Sequence, residues 1–426
     1  MKIGKLLKDI IQQLRALSPT QKRNMTIVSA VLFFVLFSYP ITRSTIDSIF
    51  LDAIGANKSP HVWLYSVIVL SVVVSFLSSL QKRVNIQDIF LSITIFTPVL
   101  FIIGLAMIKG QHNSFAYWLY IWKEAYIVLL IHILFGYINA SVDVEMAKVL
   151  YGPIGAINSL AGVLGGLWTA ELTKTVSVEI ILLIGGIIVL ASGFIFLLTN
   201  RKIVNGENRN ERPQISPLAS VSDVKEYVFW IVFIVIMSQF CINLVTFKFN
   251  ILFEQLVPDK LIRTRYFGNI NAAMNGLALF IQVIIVPVGL KLFANKRIQF
   301  FIPSTYLVVA LLGFFIGGGT LMSVAITFVI FKGMDYSIFS SAKEILYFPL
   351  NRTQRYGAKY IADIVVYRAA KGAISVILIL FQAAIVIDTM LFTFFISWIV
   401  SIIPLFNAHK KLSANSAAPT ISRFGE

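Results

Sequence analysis

A single cysteine, Cys241, serves 426 residues, which excludes an intrachain disulfide and any centre built from several thiolates. Histidine is almost as scarce. His61, His112, His132 and His409 are scattered without metal-ligand spacing, and no Walker-type glycine loop is present. Composition therefore points to no metal and no cofactor, and argues against a membrane-embedded enzyme. Charge is sparse too, at 13% of residues against 58% hydrophobic. What the chain does have is a succession of apolar runs, such as Trp63 to Leu80 and Ile180 to Leu198, long enough to cross a bilayer. It reads as an all-α, polytopic membrane protein whose surroundings are lipid.

Twelve spans are expected, near residues 25–51, 61–80, 86–108, 116–140, 152–170, 178–199, 227–252, 267–290, 298–318, 320–348, 361–387 and 389–406. The longest polar stretch, Thr199 to Lys225, falls in the middle and leaves six spans on either side. The expected organisation is an amphipathic segment (1–24), an N-terminal six-helix half (25–199), a central loop (200–226), a C-terminal six-helix half (227–406) and a tail (407–426). In the first segment Ile3, Leu6, Leu7, Ile10, Leu14 and Leu17 recur at helical spacing among lysines, as in helices that lie along an anionic leaflet.

The net charge of +16 is topological and does not signal nucleic acid. With the N-terminus inside, the cytoplasmic segments collect 23 Lys and Arg and the outer loops six. By the positive-inside rule both termini are cytoplasmic. A bacterial inner membrane and a monomer are expected.

The rare charges inside the spans carry the functional signal. Arg43, Asp47, Lys123, Glu124, Lys248, Lys332, Asp335, Lys343, Glu344, Asp363, Arg368 and Lys371 lie within apolar segments or at their ends. Facing lipid at the bilayer centre, these groups would together cost on the order of 30 kcal/mol. A fold's net stability is about 5 to 15 kcal/mol. They must pair, reach an interface or line a hydrated cavity. Seven cations oppose five acids, which favours an anionic ligand.

The candidate substrate residues are Arg43, Asp47, Glu124, Asn243, Thr246, Lys248, Lys332, Asp335, Lys343 and Glu344. Span 1 reads as broken at Pro40, with Arg43 and Asp47 one helical turn apart and a wet wall of hydroxyls around them. The aromatics near the outer end of span 4 read as an interfacial belt, and His132 as an interior histidine. Glu124 and Asp47 are the candidates for proton coupling, because a carboxylate at depth either pairs with a cation or holds a proton. Lys248 is a point charge suited to phosphate or carboxylate. Lys332 and Asp335, at i and i+3, either neutralise one another or meet ligand. Gly152, Gly155, Gly162, Gly165 and Gly166 suggest close helix packing.

Four segments, RSTIDS (43–48), EMAKVLYGPIG (145–155), INLV with FGNINAAMNG (242–245 and 267–276) and DYSIFSSAKEILYFPL (335–350), resemble the nucleotide transporter family of ATP/ADP translocases. The resemblance implies a major-facilitator-like, twelve-helix carrier that exchanges or takes up nucleotides, an antiporter in the first case. Lys343, Glu344, Phe348, Pro349 and Leu350 match the last motif, and Glu124 keeps an acid in span 4. Departures are Ile46 in place of a lysine, Thr246 in place of a carboxylate and Asp335 in place of a lysine. Losing two phosphate-facing cations shifts the expected ligand toward less charge than ATP. The resulting expectation is a secondary transporter of a small anionic metabolite, working by alternating access of the two halves. The alternatives are a proton-coupled carrier of another organic solute and a lipid-scrambling or assembly protein.

Overall fold

The computed structural model describes residues 18–81, 83–142, 144–200, 216–317 and 319–417, with only the backbone of 78, 144–153, 290 and 413–417. Among these residues twelve long helices follow one another and no strand occurs. They are α1 (Pro19–Ala53), α2 (Ser59–Leu80), α3 (Ile86–Lys109), α4 (Phe115–Ser141), α5 (Val144–Leu172), α6 (Val178–Phe196), α7 (Lys225–Leu256), α8 (260–292), α9 (295–316), α10 (321–346), α11 (352–380) and α12 (Ala384–Ala417). Ten are long and apolar enough to cross a membrane; α5 and α11 are the remaining two. Most of the expected amphipathic segment, most of the central loop and the end of the tail lie outside the described residues.

Local chemistry sets the helix starts. At α1 the Ser18 hydroxyl accepts from the Gln21 amide while the Gln21 side chain accepts from the Ser18 amide, a reciprocal cap with Pro19 in the first turn. The same device, Asn351 with Gln354, starts α11. Gly55, at φ 97°, follows the end of α1 in a conformation closed to most side chains.

Span 1 is not broken. Pro40 sits inside a continuous 35-residue helix, so the missing amide donor is tolerated without ending it. Nor are its hydroxyls a wet wall, because Ser38, Thr42, Ser44, Thr45 and Ser48 are all fully buried. They can be dry because most bond locally: Ser38 donates to the Val35 carbonyl and Thr45 to that of Ile41, while Thr42 meets the Tyr126 hydroxyl at 2.6 Å. The aromatics at the outer end of span 4 are not all interfacial either. Tyr120 is buried against α1, as is Tyr126 deeper in the helix, whereas His132 is exposed.

The chain forms two compact units. The first comprises 1–58, 68–208 and 257–279, the second 59–67, 209–256 and 280–426. In the first, α1 packs against α4, α5 and α6, and α3 lies on α4 and α6. The second repeats this arrangement internally, with α7 against α10, α11 and α12, and α9 on α10 and α12. Helices α1 and α7 thus hold corresponding places, each the hub of its unit.

Among the expected α5 glycines, close packing is confined to the later part of the helix. A Cβ on Gly166 would meet the Ala272 amide nitrogen and the Gly268 carbonyl oxygen at 2.6 Å, one on Gly162 would meet the Asn275 side chain, and one on Gly165 the Phe37 carbonyl. Gly155 has open space instead, so the motif marks contact only toward the end of the helix. Ile68, Val72 and Phe76, one turn apart along α2, are exposed and apolar, as a lipid-facing stripe requires.

Candidate substrate and coupling sites

In the first unit the polar centre is Lys123 on α4. Its side chain is 1% exposed and its ammonium binds the Asp47 carboxylate, with Glu124 at 3.3 Å and the Tyr120 ring centroid at 3.5 Å. Arg43 lies 3.7 Å from the other Asp47 oxygen across one turn of α1. Two cations thus face two carboxylates. Lys123 is the one the helix walls desolvate, while Glu124 keeps a quarter of its side chain exposed. Sequence reasoning places Arg43, Asp47 and Glu124 in the site but misses that Lys123 joins them. The one hint is its position three residues after Tyr120, which puts the lysine and the ring on one helix face; hydropathy does not register it.

In the second unit Lys248 on α7 pairs with Asp388 on α12 and lies 4.4 Å from the Phe315 ring centroid. Asp388 is not among the expected intramembrane charges, because the sequence reading puts the break between spans 11 and 12 at that residue. Including it sets seven cations against six acids and reduces the surplus from two to one. The lysine is therefore neutralised rather than isolated. Its neighbours on the same helix are occupied as well: the Asn243 amide donates to the Gln239 carbonyl and the Thr246 hydroxyl to that of Ile242.

Later in the chain come the α10 and α11 charges. Asp335 opens a π-helical turn, 335–339, and lies within electrostatic reach of Lys332 and Lys343. Lys332 sits 5.9 Å from the Phe328 ring centroid. Lys343 binds Asp363 at 2.7 Å, a carboxylate that also accepts from the Tyr347 hydroxyl, and Glu344 takes Lys359 at 2.5 Å. Both members of the Lys-Glu dipeptide thus clasp α11. Arg355 adds three bonds, to the carbonyls of Tyr347, Phe348 and Leu350, and closes the end of α10. The structure brings Arg43, Asp47 and Glu124 together in one unit, and Lys332, Asp335 and Lys343 in the other.

No family model matches the chain, and no curated protein matches it in sequence. Solved structures do match in shape. A bacterial homologue of the iron transporter ferroportin, in an inward-facing state, superposes with a TM-score of 0.67 at 12% identity, over 92% of this chain and 99% of that one. The nucleoside transporter NupG gives 0.63 at 10% identity with the same coverages. A bacterial metal transporter gives 0.62 at 12% identity, over 91% and 98%. The chain thus shares the fold of these transporters and is a multi-pass membrane protein of major-facilitator-like fold.

Proposed function

We propose that the protein is a secondary transporter of a small anionic metabolite, a nucleotide or another phosphorylated or carboxylated compound, moved by alternating access in exchange for a second solute. The observation that carries this reading is the set of cations held within the spans, Arg43, Lys123, Lys248, Lys332 and Lys343, on a fold shared with carriers. The cargo named for NupG, a nucleoside, has the base and sugar of a nucleotide, and the segments that resemble nucleotide transporters lean the same way. Asp335 supports a ligand with less charge than ATP, since a carboxylate beside Lys332 offsets a cation that a triphosphate needs. The distribution of Lys and Arg supports cytoplasmic termini.

Thermal unfolding of the purified protein with nucleosides, nucleoside monophosphates, ATP and organic acids tests this. A ligand at about a hundred times its dissociation constant stabilises by roughly 2.7 kcal/mol. Monophosphates or monocarboxylates are expected to raise the midpoint more than ATP, and Asp335→Lys to strengthen nucleotide binding. Equal stabilisation by uncharged nucleosides would overturn the anionic reading.

A second reading, proton coupling, draws support from the partly exposed Glu124 beside the buried Lys123. Protonating Glu124 leaves Lys123 still paired with Asp47, so a proton can be taken up without stranding a buried charge. Glu124→Gln should then impair accumulation more than exchange. Unchanged transport with unchanged pH dependence would remove Glu124 from the mechanism.

A further inference from the structure

Arg368 lies on α11 in the second unit, two residues after the π-helical turn that spans Tyr360–Val366. It is half-buried and, among the described residues, has neither a hydrogen bond nor an ion pair. Each of the other intramembrane cations does have an interaction: Arg43, Lys123, Lys248 and Lys343 have acidic partners, and Lys332 and Lys371 are also engaged.

Position along the helix makes that isolation costly. Along the helix axis Lys359 is about 13 Å back and Leu380 about 18 Å ahead, so Arg368 sits farther from either end of this stretch than its side chain extends. Its flanks are membrane-like, with Ile364 47% and Val365 48% exposed. One turn further on the same face, Gly372 is buried, and a Cβ there would touch Leu64 and Val67 of α2 at 3.9 Å. The stripe 364–368–372 therefore passes from open to packed, with Arg368 at the step. An arginine held there is expected to meet water or an anion rather than lipid. The preceding π turn fits the same role, since such turns recur at functional sites.

We infer that Arg368 is the residue that recognises the charged group of the substrate, a single phosphate or carboxylate, by a forked pair of hydrogen bonds. Guanidinium matches both groups in plane and spacing, stays charged under all conditions and is less strongly hydrated than an ammonium. Lys248 and Lys343, already bonded to Asp388 and Asp363, set the electrostatic background instead of holding the ligand. This assignment rests on the anion-carrier reading and adds the residue that reads the anion.

The test uses the full chain with Cys241→Ser and pairs binding with accessibility. In Arg368→Gln, affinity for adenosine monophosphate is expected to fall roughly 10- to 100-fold, the range for a lost charged hydrogen bond, with any binding of adenosine unchanged. Arg368→Lys, which preserves the charge and guards against a folding defect, should recover part of the loss. Arg368→Cys is expected to react with a water-soluble anionic thiol reagent, and, with the guanidinium gone, neither inorganic phosphate nor adenosine should slow the reaction. An unreactive Arg368→Cys would place the residue in a dry or lipid-facing position and overturn the assignment. Adenosine monophosphate binding to Arg368→Gln as tightly as to the unsubstituted protein would also overturn it, leaving Arg368 in water but outside the ligand. If instead the unsubstituted protein binds none of the anions, the transport reading itself fails, and that result is separate from the Arg368 variants.

Discussion

Lys123 and Asp47 form an ion pair in which the lysine side chain is 1% exposed and the carboxylate is shared with Arg43. A charge so thoroughly removed from water depends on its partners. Lys123→Met would leave Asp47 and Glu124 facing each other without the cation between them, at a cost of about 3 to 5 kcal/mol when one member of a buried pair is removed. Thermal unfolding in detergent should show that loss, and the double variant Lys123→Met/Asp47→Asn should recover much of it. A double variant as unstable as the single one would mean that packing of the lysine stem, and not its charge, holds α4 to α1.

The Lys248 and Asp388 pair makes a parallel expectation in the second unit. Asp388→Asn should lower the unfolding midpoint and impair transport, and the exchange Lys248→Asp/Asp388→Lys should restore stability more than either single change. Failure of the exchange while both singles are neutral would show that the pair is solvated and of little energetic weight.

Much of the architecture is legible because hydropathy and helix length are strongly coupled: most of the twelve expected spans fall within several residues of the helices observed. The last two do not. The α11–α12 connection is Phe381, Gln382 and Ala383, which carries almost no polar signal, while Arg352, Arg355 and Lys359 make the first turns of α11 look like a loop. The capping pair Asn351 and Gln354 is the cue that corrects this. That displacement hides Asp388, and with it the partner of Lys248. Partners between helices are not written in the periodicity of either one, which is why Arg43 with Asp47, one turn apart, is legible and Lys123 with Asp47 is not.

Glycines on α5 should separate by position. Gly166→Ala forces backbone against backbone at Gly268 and Ala272 and should destabilise the fold, whereas Gly155→Ala, with open space, should be neutral or stabilise by up to about 1 kcal/mol through helix propensity. Unfolding midpoints of the two variants decide the matter; a tolerated Gly166→Ala would mean that α5 and α8 can separate at little cost.

Water access offers a further check. Side chains of Arg43 and Lys248 are 19% and 17% exposed, and Cys241 is fully buried. In a Cys241→Ser background, Arg43→Cys, Lys248→Cys and Lys332→Cys are expected to react with small polar thiol reagents, while Cys241 in the unsubstituted protein resists them. Uniform protection at the three positions would place their cations in dry pairs.

The most direct measurement of the central claim is counterflow in proteoliposomes. Vesicles loaded with an unlabelled nucleoside monophosphate or carboxylic acid are expected to accumulate the labelled compound transiently and saturably, with adenosine unable to compete and Arg368→Gln inactive. Counterflow of an uncharged nucleoside alone, unaffected by Arg368→Gln, would contradict an anion carrier; rapid saturable ATP/ADP exchange would keep the carrier and overturn the preference for a less charged ligand.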